Sequence, residues 1–156
     1  MEKSLTLEQR IENAQALHGQ KANCAQSVAG AFADCVDIPF ETLMRAAEGF
    51  GLGMGGTQGV CGTLSAAVLL AGLTHSAGRA DGSTKAATYA LTAQMVESFL
   101  KQNGTYVCSE LKGLDIGTPR HPCPDCIRDG CVLAARYAFG MTEEADAVEA
   151  SVQKNA

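Results

Sequence analysis

The sequence predicts an all-α protein, a single-domain bundle of about six helices. Three observations carry that expectation. β-Branched and aromatic residues are scarce beside Ala, Leu, Glu, Gln and Lys; no alternating stretch is long enough for a half-buried strand; and cap residues recur just ahead of apolar stripes. With 156 residues, one domain spanning 1–156 is the default, large enough to bury roughly two-thirds of its surface without disulfides.

Thr6 with Gln9 forms a capping box, and Leu7, Ile11, Ala14 and Leu17 form a helical stripe, so the first helix should run from Leu7 to about His18. Asn23 with Gln26 repeats the signal. Cys24, Val28, Ala31, Phe32 and Cys35 then share one face of a second helix that stops before Ile38-Pro39. Pro39 suits the first turn of a third helix reaching about Glu48. Six glycines in the eleven residues Gly49 to Gly59 predict a loop, because each would cost a helix interior roughly 1 kcal/mol. Leu64, Val68, Leu69 and Leu73, with small neighbours, suit a central helix. A polar connection, His75 to Ser83, leads to a long helix marked by Ala87, Leu91, Met95 and Phe99 and stopped by Asn103-Gly104; this stripe belongs to the core or to a dimer interface. A short helix is expected around Ser109 to Gly113 and a turn over Gly117 to Pro122. Ile127, Cys131, Ala134 and Ala138 pattern a sixth helix ending at Gly140, and Thr142 onward a short, frayed, acidic tail helix.

Composition narrows the partners. The net charge is −5, the pI is near 5.1 and Lys and Arg form no run, so neither nucleic acid nor an anionic membrane is expected. The longest apolar stretch, Leu64 to Leu73, is too short for a membrane span and is broken by Ser65 and Gly72. Met1 to Thr6 is polar with no secretory signal visible, which makes a reducing cytoplasm the expected compartment. There, an odd seven cysteines point to metal binding, redox chemistry or burial rather than a disulfide framework.

Four of the seven fall at expected helix starts: Cys24 after a cap, Cys61 after the glycine loop, Cys108 before the short helix and Cys123 before Pro124. Unsatisfied N–H groups and the helix dipole there would bring a thiol down from about 8.5 to roughly 7–8. If the four starts converge, their thiolates repel, and three outcomes resolve the conflict: protonation, disulfide formation, or ligation of a cation or an Fe–S cluster. Four cysteines suit zinc or a [2Fe–2S] cluster by count. Their spread over about a hundred residues, with a single CxxC pair, disfavours a zinc ribbon. That pair, Cys123-Pro124-Asp125-Cys126, has redox spacing without the strand–helix–strand pattern of thioredoxins. Dithiol exchange, with Cys123 attacking and Cys126 resolving, is therefore the alternative catalytic reading.

Asn23-Cys24-Ala25-Gln26, Gly53-Met54-Gly55-Gly56 before Cys61, Cys108-Ser109-Glu110-Leu111-Lys112-Gly113, and Cys123-Pro124 with Ile127-Arg128-Asp129 together resemble the redox-active family named for its pattern C_GCAxxG_C_C. The resemblance runs from about Ala22 to Ala138. It implies a small all-helical homodimer with redox or metal function and an unidentified redox partner protein. A similar domain in split-Soret cytochromes carries an Fe–S centre, which the resemblance places on Cys24, Cys61, Cys108 and Cys123. Val60, Gly62 and Ser65 stand where the pattern has Gly, Ala and Gly. Cys35, Cys126 and Cys131 are additional, with Cys126 a substitute for Cys123 as ligand. No CxxCH motif is present, so a cytochrome function does not carry over.

Plainer roles are expected elsewhere. Cys35 and Cys131, on apolar stripes, should pack in the core. Gly51 to Gly56 matches GxGxxG but follows a helix rather than a strand, so its role is close backbone approach near Cys61, not dinucleotide binding. His18, His75 and His121 read as solvated loop or turn residues, and Lys112 and Arg128 as surface charges able to balance an anionic cluster. Three functions stay open: an electron-transfer protein holding [2Fe–2S] or another thiophilic metal such as zinc, a thiol–disulfide oxidoreductase, and a non-catalytic structural module.

Overall fold

The computed structural model describes residues 4–154; Met1–Lys3, part of the start read for a secretory signal, lie outside them. The described residues contain α1 (Leu7–Gly19), α2 (Cys24–Ala31), α3 (Phe40–Glu48), α4 (Gly51–Met54), α5 (Gly62–His75), α6 (Lys85–Asn103), α7 (Cys108–Leu111), α8 (Cys123–Leu133) and α9 (Thr142–Lys154), and no strand. The all-helical class is as expected. Six counts the longer helices; the short α7 and the tail α9 were expected beside them, and only α4, a single turn inside the glycine stretch, was not, being too short for an apolar periodicity to mark.

Both capping boxes form. The Gln9 N–H donates to Thr6 Oγ1 at 3.1 Å and the Gln26 N–H to Asn23 Oδ1 at 2.9 Å, each answered by the glutamine side chain. Asn23 also donates from Nδ2 to the Glu48 carbonyl at 2.9 Å, so the residue that starts α2 ties down the end of α3. The core sits where α2 and α5 cross; α2 packs on α1, α3, α5 and α8, and α5 on α2, α6 and α8. Small buried residues (Ala25, Ala29, Ala66, Ala67, Ala71) let these helices close up. At Gly130 a Cβ would stand 2.9 Å from the Thr63 carbonyl oxygen, so α8 reaches α5 only because that position lacks a side chain.

Several expectations need correction. The second helix ends at Ala31, and a 3₁₀ turn over Ala33–Cys35 swings Cys35 off the apolar stripe to the surface; Cys131 does pack, fully buried in α8. The sixth helix widens after Leu133 into a π turn over Ala134–Ala138, where the Phe139 N–H reaches the Ala134 carbonyl at 3.2 Å. That turn brings Phe139 onto Phe32, the rings stacked with centroids 5.1 Å apart. The tail is a docked helix rather than a frayed one: Ala145 is buried, Glu144 accepts the Leu7 N–H at 2.6 Å, and Arg136 pairs with Asp146 and Glu149. Of the α6 stripe, Met95 and Phe99 are core and Leu91 is half-buried. No helix among the described residues is long and apolar enough to cross a membrane.

Away from the cysteines, the Arg10 guanidinium is buried against the Phe32 ring and grips Asp34 at 2.6 and 3.1 Å. That hydrogen bond holds the Asp34 carboxyl below its ordinary value. A carboxyl depressed in the folded state contributes stability that is complete above its unfolded value and is lost as pH falls through the folded one. Asp34→Asn should therefore cost about 1–3 kcal/mol at neutral pH, between the limits for exposed and buried pairs. Urea denaturation at a series of pH values should show the gap from wild type closing as pH falls below about 4, the ordinary carboxyl range.

Candidate functional site

All four cysteines expected at helix starts are there. Cys24, Cys108 and Cys123 are the first residues of α2, α7 and α8, and Cys61 caps α5. The structure also brings them together, around a cavity of about 150 Å³ that Cys126 lines as well. Each arrives from a different part of the chain for a local reason. Asn23 fixes Cys24 through its capping box. Cys61 and Cys108 are joined backbone to backbone: the Cys61 N–H donates to the Tyr106 carbonyl at 2.7 Å, the Cys108 N–H to that of Gly59 at 3.0 Å, and Val60 bridges Val107 antiparallel. Pro122 and Pro124 set the first turn of α8, and Gln15 of α1 donates to the Pro124 carbonyl at 2.8 Å, which holds Cys123 over the cavity.

The glycine stretch does what its composition promised. It is a loop around one tight turn, α4, in which Leu52 and Gly53 take φ of 56° and 58°. A Cβ on Gly53 would overlap Cys108 Cβ, and one on Gly62 would stand 2.6 Å from Cys24 Sγ and 2.9 Å from the Phe50 carbonyl oxygen. Glycines at these two positions are the condition for Cys24, Cys61 and Cys108 to share a cavity. Where the family pattern has Ala, Gly62 gives a closer approach.

The thiols differ electrostatically. Burial pushes Cys24 up, opposed by a hydrogen bond from the Leu52 backbone. Cys108 is also raised by burial, against the pull of Lys112. Cys61 goes the other way: hydrogen bonding by Cys126, then by Thr63, whose Oγ1 lies 3.1 Å from the sulfur, holds it well below the ordinary thiol range despite burial. Cys126 correspondingly keeps its proton, with the His121 carbonyl a second acceptor at 3.6 Å. Cys131, enclosed by apolar neighbours, is pushed up to about 12 and is chemically inert.

Two histidines read as solvated groups, His121 and His18, line the cavity, and Lys112, read as a surface charge able to balance an anionic cluster, reaches a thiol. Lys112 Nζ donates to Cys123 Sγ at 3.5 Å. His121 lines the cavity and bonds through Nε2 to the buried Asp129 carboxylate at 2.6 Å, a contact that raises its pKa; Asn103 donates to the same oxygen at 3.3 Å. His18 lines the cavity from the last turn of α1. Arg128 pairs with Asp125 at 3.2 Å and lies off the cavity, and His75 Nε2 sits 3.2 Å from the Ala138 carbonyl oxygen. Nothing in the local sequence announced Asp129, Asn103 or Thr63, whose roles depend on helices meeting in space. Although the chain is acidic overall, the residues lining the cavity include no Asp or Glu among those described.

An all-helical fold with five thiols and a lysine around one cavity defines a cysteine-based redox protein. Residues 22–137, about three-quarters of the chain, match the family described as "Putative redox-active protein (C_GCAxxG_C_C)", and the chain belongs to that family. No curated protein and no solved structure gave a match.

Proposed function

We propose that this protein transfers electrons through a [2Fe–2S] cluster held by Cys24, Cys61, Cys108 and Cys123, with Cys126 as the substitute for Cys123. The observation that carries the reading is the convergence of four helix-start thiols on one cavity. Four thiolates together need a cationic group to relieve their repulsion, and soft sulfur donors suit iron of a cluster or, as the alternative, zinc. The donor chemistry therefore fits. The reading rests on the shared cavity rather than a ready-made ion site: among the described residues no three His, Cys, Asp or Glu side chains form a group that could hold one ion. A bound cluster would supply one-electron chemistry. The residues would do the rest: Thr63 orients Cys61, Lys112 offsets negative charge at Cys123, and the flanking apolar packing limits water.

Protein purified without oxygen decides the matter. A brown protein with about two irons and two acid-labile sulfides per chain is the expected result. One zinc and no colour would replace the cluster with a metal site, and a metal-free protein that anaerobic reconstitution cannot load would overturn both. A second reading, dithiol exchange, has one observation in its favour: Cys123 and Cys126 both line the cavity, with Lys112 Nζ 3.5 Å from the Cys123 sulfur. Under that reading Cys123 attacks a substrate disulfide and Cys126, in the same first turn of α8, resolves the mixed disulfide.

A further inference from the structure

We infer that Lys112 sets the reduction potential of this site by holding a fixed positive charge against the thiol that begins α8. The inference rests on the cluster reading above. Lys112 follows the last residue of α7, and its Nζ reaches across to Cys123 Sγ at 3.5 Å while also facing the cavity that Cys24 and Cys108 line. It is the only Lys or Arg among the described residues lining that cavity, and no carboxylate there offsets it. Arg120 and Arg128, the arginines near Cys123 and Cys126 in sequence, are occupied by Asp115 and by Asp125 and Asp129.

The lysine is held in place by backbone. Gly113, with φ 66°, turns the chain beside Thr118, and the Leu111 carbonyl accepts N–H bonds from Arg120 and His121, both at 3.0 Å. A lysine ammonium is charged at neutral pH without help from its neighbours. A one-electron reduction adds one negative charge to the thiolate-bound group, the electron coming from an external donor, with no bond made or broken. A cation at this distance favours the reduced form, and low dielectric strengthens the effect.

The test compares wild type, Lys112→Met and Lys112→Arg, reconstituted anaerobically with iron and sulfide and titrated with dithionite in the presence of redox mediators. Iron and sulfide are assayed first, and a wild type that holds neither ends the cluster reading and this inference with it. In loaded proteins Lys112→Met should lower the midpoint by the equivalent of about a tenfold drop in the reduced-to-oxidised ratio, about 59 mV for one electron, and Lys112→Arg should restore most of it. A Lys112→Met protein with the wild-type midpoint overturns the inference, as does a Lys112→Arg protein that behaves like Lys112→Met. If Lys112→Met cannot be loaded, Lys112→Gln takes its place; loss of iron from all three variants would assign Lys112 to packing and overturn the electrostatic role.

Discussion

Cys61→Ser should strip the protein of bound iron, from about two per chain to a small residue, with loss of visible absorption after anaerobic reconstitution. The reason is positional. Cys61 is buried, as Cys108 is, and Thr63 aligns it and helps hold its pKa below the ordinary thiol range, while the loop that carries it is fastened to the Cys108 loop on both sides of Val60. Serine is close in size, so the fold should survive; its hydroxyl is far less acidic and a hard donor where a soft one is needed. Cys35→Ser, on the surface, serves as the control and should keep full iron. A Cys61→Ser protein with undiminished iron would sink the four-ligand assignment. Should Cys123→Ser also keep its iron, Cys126 is the fourth ligand.

The largest loss of stability is expected from Gly113→Ala, at about 2–5 kcal/mol in urea denaturation. Two costs combine: a left-handed backbone at φ 66°, about 1–2 kcal/mol for a residue with a Cβ, and a steric clash of about 1–3 kcal/mol where that Cβ would overlap the Thr118 carbonyl. The clash is with backbone, so no rotamer relieves it. Because Gly113 positions Lys112 on one side and the Arg120–His121 strap on the other, the same variant should perturb the site as well as the fold. A change under about 0.5 kcal/mol would mean that the turn adjusts freely.

What the sequence reveals here is whatever short-range chemistry determines. Thr6 with Gln9 and Asn23 with Gln26 make their bonds within one helical turn, so both caps and the cysteine after the second were readable. Pro124 and the glycine run before Cys61 are equally local signals, which is why all four thiols could be put at helix starts. Their meeting was not derivable: it depends on Gly62 and Gly130 allowing α2, α5 and α8 to touch, and on a loop-to-loop pairing at Val60 and Val107 that no periodicity encodes. His121 failed as a surface residue for the same reason, since its partner Asp129 is reached only when α8 folds back beside it. Cys35 failed differently: its stripe continued in the sequence, but the helix stopped at Ala31 and the apolar pattern ran on into a turn of another pitch.

The thiols of this cavity begin at Cys24 and end at Cys126, about a hundred residues apart, and the five α-helices α3 to α7 lie between the two helices that carry them. No fragment of the chain can gather them; a polypeptide emerging from synthesis carries separate, reactive sulfhydryls until α8 has docked. Under the cluster reading, loading is thereby tied to completion of folding, and a bound cluster would hold the first third of the protein to the last. Removing that cluster should be felt throughout the molecule as a lower unfolding midpoint, and not as a local loosening around one loop.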